Sequence, residues 1–253
     1  MLFGIIFNVQ SKPGMKQTTR FLYPLLILAG VFMLISSQSK SETTVWMIGD
    51  STMAAKQANR SPESGWGEGL KEFVRPGVVV KNRAASGRST LSYINEGRWK
   101  AVIDSIKPGD YLIIQFGHND QKENPKIHAD AFGSFQDHIR MFIESARSKG
   151  ATPVVCTSIV RRHFDGKGTL KDTHGDYIQA ARAIASATHT PCVDMEASTR
   201  KLVAGLGPEA SKKLFTFTDT KQDSTHVSHY GATEFARLFV EEVKQKHIPM
   251  KVF

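Results

Sequence analysis

Five short runs of apolar and β-branched residues recur along the chain, at 44–48, 78–81, 111–116, 153–157 and 192–195. Most are continuous instead of alternating, the pattern of strands covered on both faces. Between them lie segments whose apolar positions return with helical spacing, notably 131–149, 176–188 and 230–245. In the last, Phe235, Leu238, Phe239 and Val243 stand at i, i+3, i+4 and i+8, a stripe down one helix face. Strand alternating with helix predicts an α/β fold with a parallel sheet between helical layers. No internal repeat, low-complexity tract or interior linker breaks the pattern, so one domain is expected over 41–253.

In such a sheet, ligands bind beyond the carboxyl ends of the strands. The segments after the first three strands are polar and contain glycine: Gly49-Asp50-Ser51-Thr52, then Asn82 through Ser89, then Gly117-His118-Asn119-Asp120. All three fall on one edge of the predicted sheet.

The N-terminus has a different pattern. Residues 21–35 read FLYPLLILAGVFMLI without a charge, preceded by Lys16 and Arg20 and succeeded by Ser36, Ser37, Gln38 and Ser39. A basic start, an apolar stretch of this length and small residues after it describe a secretory signal peptide, with Met15 as its natural first residue. A spanning helix needs about twenty apolar residues, so an uncleaved anchor is the alternative. Residues 1–40 are therefore expected to be an extension and signal, membrane contact to be confined to them, and the domain to be exported.

Composition adds limits. A 40% hydrophobic and 23% charged chain of 253 residues is that of a soluble globular protein. Of the formal charge of +9, four units come from Lys12, Lys16, Arg20 and Lys40, which leaves +5 on the domain. Its lysines and arginines are spread instead of clustered, which argues against a nucleic-acid partner and is compatible with an anionic polymer. Cys156 and Cys192 both sit in apolar runs and are expected to be free, buried thiols. Their spacing suggests no metal site, and no cofactor is expected.

A serine between a strand and a helix presents its hydroxyl at the sheet edge, with its N–H near the start of the helix. Alone, Ser51 is as well explained as a helix cap. A serine becomes nucleophilic only with a base. Asp223-Ser224-Thr225-His226 offers one: three residues apart on a turn, Asp223 can accept from Nδ1–H and leave Nε2 to take the Ser51 proton. The competing readings are a capped turn with a surface histidine, and a metal site of Asp223, His226 and His229. Acyl transfer also needs oxyanion donors. Gly87 offers a backbone N–H, Asn119 a side-chain amide, and Ser51 its own N–H; singly, Gly87 is a turn residue and Asn119 a helix cap.

Taken in order, Gly49-Asp50-Ser51, Gly87, Gly117-His118-Asn119-Asp120 and Asp223-Ser224-Thr225-His226 resemble the four blocks of the SGNH or GDSL hydrolase superfamily. The stretches AASGRST, QFGHNDQ and DSTHVSHYGA are most similar to those of rhamnogalacturonan acetylesterases. The first block lacks the Leu of the GDSL label. The resemblance implies a three-layer α/β/α sandwich around a five-stranded parallel sheet, flavodoxin-like. It further implies a serine esterase that removes acetyl groups from a pectic polysaccharide through an acetyl-enzyme. Ser51, Asp223 and His226 would then be catalytic, with Ser51, Gly87 and Asn119 around the oxyanion. Arg88, Arg161, Arg162 and His163 come after strands on the same edge and are candidates for contacting an acidic polymer. A lipase or lysophospholipase, a sugar O-acetyltransferase, and a non-catalytic carbohydrate-binding domain are the alternatives.

Overall fold

The computed structural model describes residues 42–253, together with the isolated positions 4 and 10. The proposed signal segment and the start at Met15 lie outside the described residues. Along β1 (Thr43–Gly49), Val45 and Met47 enter one buried apolar cluster while Trp46 and Ile48 enter another. Successive strand residues point to opposite faces, so a strand apolar at both parities must be covered on both sides. That arrangement holds for the whole central sheet.

In chain order the elements after β1 are β2 (Glu63–Ser64), α1 (Trp66–Gly69), β3 (Val78–Asn82), α2 (Thr90–Asn95) and α3 (Arg98–Ile103). Then come β4 (Tyr111–Gln115), α4 (Ser134–Ser148), β5 (Thr152–Cys156), α5 (Asp176–Ala187), β6 (Cys192–Val193) and α6 (Met195–Ala210). The chain ends with β7 (Phe215–Phe217), β8 (Gln222–Ser228) and α7 (His229–Gln245). Strands β3, β1, β4, β5 and β6, in that spatial order, form a five-stranded sheet whose pairings are all parallel. Counting only these strands, the order is that of a flavodoxin-like sheet, with the reversal between β1 and its two neighbours.

Each face has its own core. On one side Tyr93, Trp99, Phe135, Ile139, Phe142 and Ile184 of α2 to α5 pack on Trp46, Ile48, Leu112 and Ile114. On the other, Trp66, Val203, Phe235 and Phe239 of α1, α6 and α7 pack on Val45, Met47, Ile113 and Val154. The stripe read in the sequence of α7 buries Phe235, Phe239 and Val243, with Leu238 packed at its margin. Cys156 and Cys192 are both free, the first buried and the second half-buried.

A second, antiparallel sheet of β2, β8 and β7 was not anticipated. Two of its strands are only two and three residues long, too short for a periodic signal. It carries the Asp223–His226 segment, read from the sequence as a turn. Both descriptions have a basis: between Phe215 and Thr216 the register on β8 jumps from Val227 to Asp223, so Ser224, Thr225 and His226 bulge out of the ladder. No helix among the described residues is long and apolar enough to cross a membrane.

Candidate functional site

β1 runs out at Gly49, where a Cβ would lie 2.5 Å from the Gln115 carbonyl oxygen, so only glycine lets β1 and β4 run this close here. Asp50 comes next, fully buried. Its Oδ1 accepts from the Thr52 N–H (2.9 Å) and the Thr52 hydroxyl (2.8 Å), and its carbonyl accepts from the Met53 and Ala54 N–H groups. Ser51 therefore rides on a tight turn, not at the first turn of a helix; a short 3-10 turn comes at Ala58–Arg60, and the next α-helix begins only at Trp66. Behind the turn, Trp66 Nε1 donates to Gln115 Oε1 (2.6 Å) and Gln115 Nε2 to the Thr52 hydroxyl (2.9 Å). Trp66 is thus a buried support, stacked on Phe239 at 5.4 Å.

The Ser51 hydroxyl meets His226 Nε2 at 2.8 Å, and His226 Nδ1 meets Asp223 Oδ2 at 2.7 Å. Asp223 is held by more than the imidazole. Its Oδ1 accepts from the N–H groups of Thr225 and His226, both at 2.9 Å, and this turn within β8 is what lets residues three apart face each other. Burial works to raise the Asp223 carboxyl; the hydrogen bonds from the His226 side chain and from these two amides prevail and keep it below the usual carboxylate range. His226 and Asp223 are each about one-fifth exposed and Ser51 is half-buried, so solvent reaches the line.

The other two loops reach the same edge. Gly87 has a φ of +80°, and a Cβ there would meet nothing within 4 Å. Its glycine thus answers to backbone conformation and not to crowding. Asn119 is buried, with Nδ2 donating to the Arg88 carbonyl (3.0 Å) and Oδ1 accepting from Lys122 Nζ (2.7 Å), which fixes which way the amide points. An amide nitrogen carries two hydrogens, so one remains beyond that bond. Among the described residues, neither the Ser51 N–H nor the Gly87 N–H donates a hydrogen bond within the chain.

The basic residues singled out from sequence fall in three environments. Arg88 pairs with Glu96 (3.0 Å) and donates to the Ser86 carbonyl (2.8 Å) on the surface. Arg161 is turned inward, donating to the carbonyls of Thr173 (2.8 Å) and His118 (3.3 Å). Arg162 donates to the Ser211 hydroxyl and the Pro208 carbonyl and lies over the rings of Phe164 and Phe217. Arg162, His163, Phe164, Lys171 and Ser224 line an open groove of about 360 Å³ that borders the Asp223–His226 bulge. Lys171 was not anticipated; it lies in a loop with no periodic or motif signal. Beneath the site, His118 and His174 form a buried pair (3.1 Å), and burial holds both well on the neutral side.

Glu63, Asp223 and His226 bring possible ligand atoms within 4.8 Å of one another, a different trio from the one weighed in the sequence. The cation that meets these two carboxylates is the protein's own: Lys221 Nζ lies 2.6 Å from Glu63 Oε2 and 3.3 Å from Asp223 Oδ2.

Comparison with known proteins agrees with the sequence resemblance. The family model described as "GDSL-like Lipase/Acylhydrolase family" matches residues 47–232. Rhamnogalacturonan acetylesterase RhgT of Bacillus subtilis is 38% identical over 221 residues, which cover 84% of this chain and 94% of RhgT. The crystal structure of YxiM from Bacillus subtilis superposes with a TM-score of 0.73 at 29% identity, covering 83% of this chain and 58% of that one. The acetylxylan esterase Axe2 of Geobacillus stearothermophilus superposes at 0.59 over 79% of this chain and 94% of its own, at 22% identity, a likeness of fold.

Proposed function

The chain belongs to the GDSL-like lipase/acylhydrolase family, serine ester hydrolases, and we propose that it removes acetyl groups from acetylated pectin of the rhamnogalacturonan type. The observation that carries the reading is the unbroken line from the Ser51 hydroxyl through His226 to Asp223, at 2.8 and 2.7 Å. A serine hydroxyl becomes a nucleophile only when a base within hydrogen-bond reach can take its proton.

His226 Nε2 accepts the Ser51 proton as the oxygen attacks the acetyl carbonyl carbon. Asp223, held anionic by its amide and imidazole donors, fixes the Nδ1–H tautomer and balances the imidazolium that forms. The carbonyl oxygen becomes an oxyanion between the Ser51 N–H, the Gly87 N–H and the remaining Asn119 Nδ2 hydrogen. Collapse of the tetrahedral adduct breaks the bond to the sugar oxygen, which leaves with the proton from His226. Water, deprotonated by His226, then releases acetate and restores the Ser51 hydroxyl. His226 carries each transferred proton, and the second proton of water leaves with the acetic acid, which ionises in solvent.

Two facts support a carbohydrate acetyl ester, and an acidic polymer in particular. The family relative RhgT is named for rhamnogalacturonan, and the groove bordering Ser224 presents Lys171 to solvent beside Arg162, where a chain of uronates would find positive charge. Acetate release monitored by NMR on acetylated rhamnogalacturonan, acetylated homogalacturonan and acetylxylan tests the substrate. The rhamnogalacturonan should be hydrolysed fastest; a preference for acetylxylan, or for long-chain nitrophenyl esters over the acetate, would overturn the proposal. The export expected from residues 1–40 suits such a polymer and is proposed with it.

A further inference from the structure

Glu63 is 1% exposed, yet it is surrounded by three cations: Lys221 at 2.6 Å, Arg60 at 2.7 Å and Lys56 at 3.3 Å. Burial works to raise its carboxyl, and the hydrogen bonds from Lys221 and Arg60 overcome it, leaving it at about 2. Two of the three cations lead back to the site. Lys56, itself buried, places Nζ 2.5 Å from the Ser51 carbonyl and 3.2 Å from the hydroxyl of Ser86, the neighbour of Gly87. Lys221, in the β7–β8 turn, places Nζ 3.3 Å from Asp223 Oδ2, the oxygen that also receives His226 Nδ1.

The contacts therefore close a ring: Ser51 to His226 to Asp223 to Lys221 to Glu63 to Lys56 and back to Ser51. One half is the proton path. The other half is made of fixed charges that tie β8, β2 and the first two loops together.

We propose that Lys221, joined through Glu63 to Lys56, is a positioning residue that sets Asp223 and His226 against Ser51. The inference rests on reading Ser51 as the nucleophile. It goes beyond that reading because three-membered proton paths do not require a fourth charge on the acid. Lys221 shares the carboxylate oxygen with the imidazole, so it limits how Asp223 can rotate and opposes part of its negative charge. The charged and titratable groups around the His226 ring are Asp223 and Lys221 on the β7–β8 hairpin, Glu63 on β2, Asp50 in the first loop and His118 in the third. Without Lys221, the anionic side of this set is less opposed, and the imidazolium is favoured.

The test compares wild type with Lys221→Met and Lys221→Arg, after melting curves confirm folding. Two readouts are taken: the rate of Ser51 labelling by a fluorophosphonate, and the pH profile of kcat/KM on 4-nitrophenyl acetate. In Lys221→Met, labelling should slow about tenfold and the acid limb should move up by about half a pH unit, with Lys221→Arg restoring both. Labelling at the wild-type rate in Lys221→Met overturns the proposal. So does slowed labelling with the acid limb unmoved, since a merely structural loss has that signature. If Lys221→Met does not fold, Glu63→Gln replaces it: labelling should again slow, but the acid limb should move down, since an anion beside the imidazole has been removed, and labelling at the wild-type rate overturns the proposal. Absence of labelling in the wild type would instead strike at Ser51 as nucleophile, so the two failures are distinct.

Discussion

The Asn119 side chain does two jobs at once, donating one hydrogen to the Arg88 carbonyl and keeping the other for the site. Asn119→Ala removes one of the three proposed oxyanion donors and should lower kcat about 10²–10³-fold with KM little changed, as measured on a soluble acetyl ester. A loss confined to KM would assign Asn119 to binding alone. The Ser51–His226–Asp223 contact was legible in the sequence, as were Gly87 and Asn119 as proposed oxyanion donors, because each stands in a short block after a strand or before the last helix. What was not legible was the hold on them. Lys56, Glu63 and Lys221 have no motif: they meet through long flexible side chains from three separate segments, and only the fold brings them within 3.3 Å. Residue type alone does not show what the arginines already meet: Arg88 is paired with Glu96, and Arg162 lies over two aromatic rings.

Strand and helix positions differ from expectation by a few residues at most where the apolar runs are long. The second run, expected at 78–81, is observed as β3 over Val78–Asn82, and the helix expected at 131–149 as α4 over Ser134–Ser148. The short sheet of β2, β7 and β8 escaped because strands of two or three residues carry no period. It matters for the site, since the bulge in β8 is what turns His226 toward Ser51. Next to that bulge, Ser228 caps α7: its hydroxyl accepts from the Gly231 N–H (3.0 Å) and donates to the Lys213 carbonyl (2.7 Å). Ser228→Ala should cost about 1–2 kcal/mol of stability in urea unfolding. Turnover should stay near wild type, because the substitution leaves the Asx turn at Asp223 in place. A turnover loss as large as that of Asn119→Ala would mean that the cap, and not the turn, sets the His226 geometry.

For the molecule as a whole, the two apolar layers carry the stability and the buried charges carry its pH dependence. Phe239, fully buried between Trp66 and Phe253, should cost about 3–5 kcal/mol when cut to Ala, read from denaturant midpoints. Glu63 contributes through linkage. Its folded pKa of about 2 lies below the ordinary 4.5, so its stabilisation is complete above about 4.5 and is lost as pH falls toward 2. Unfolding free energy measured from pH 6 to pH 2.5 should therefore fall less steeply in Glu63→Gln than in wild type. Parallel slopes would mean that the carboxylate is not held by its three cations.

Each step proposed for the site depends on the Ser51 oxygen as the atom that attacks the acetyl ester. Acetate release from acetylated rhamnogalacturonan by wild type and by folded Ser51→Ala, side by side, tests it most directly. The wild type should release acetate steadily, and the variant should lose about 10⁴-fold or more of that rate. Release by Ser51→Ala within tenfold of wild type would contradict it.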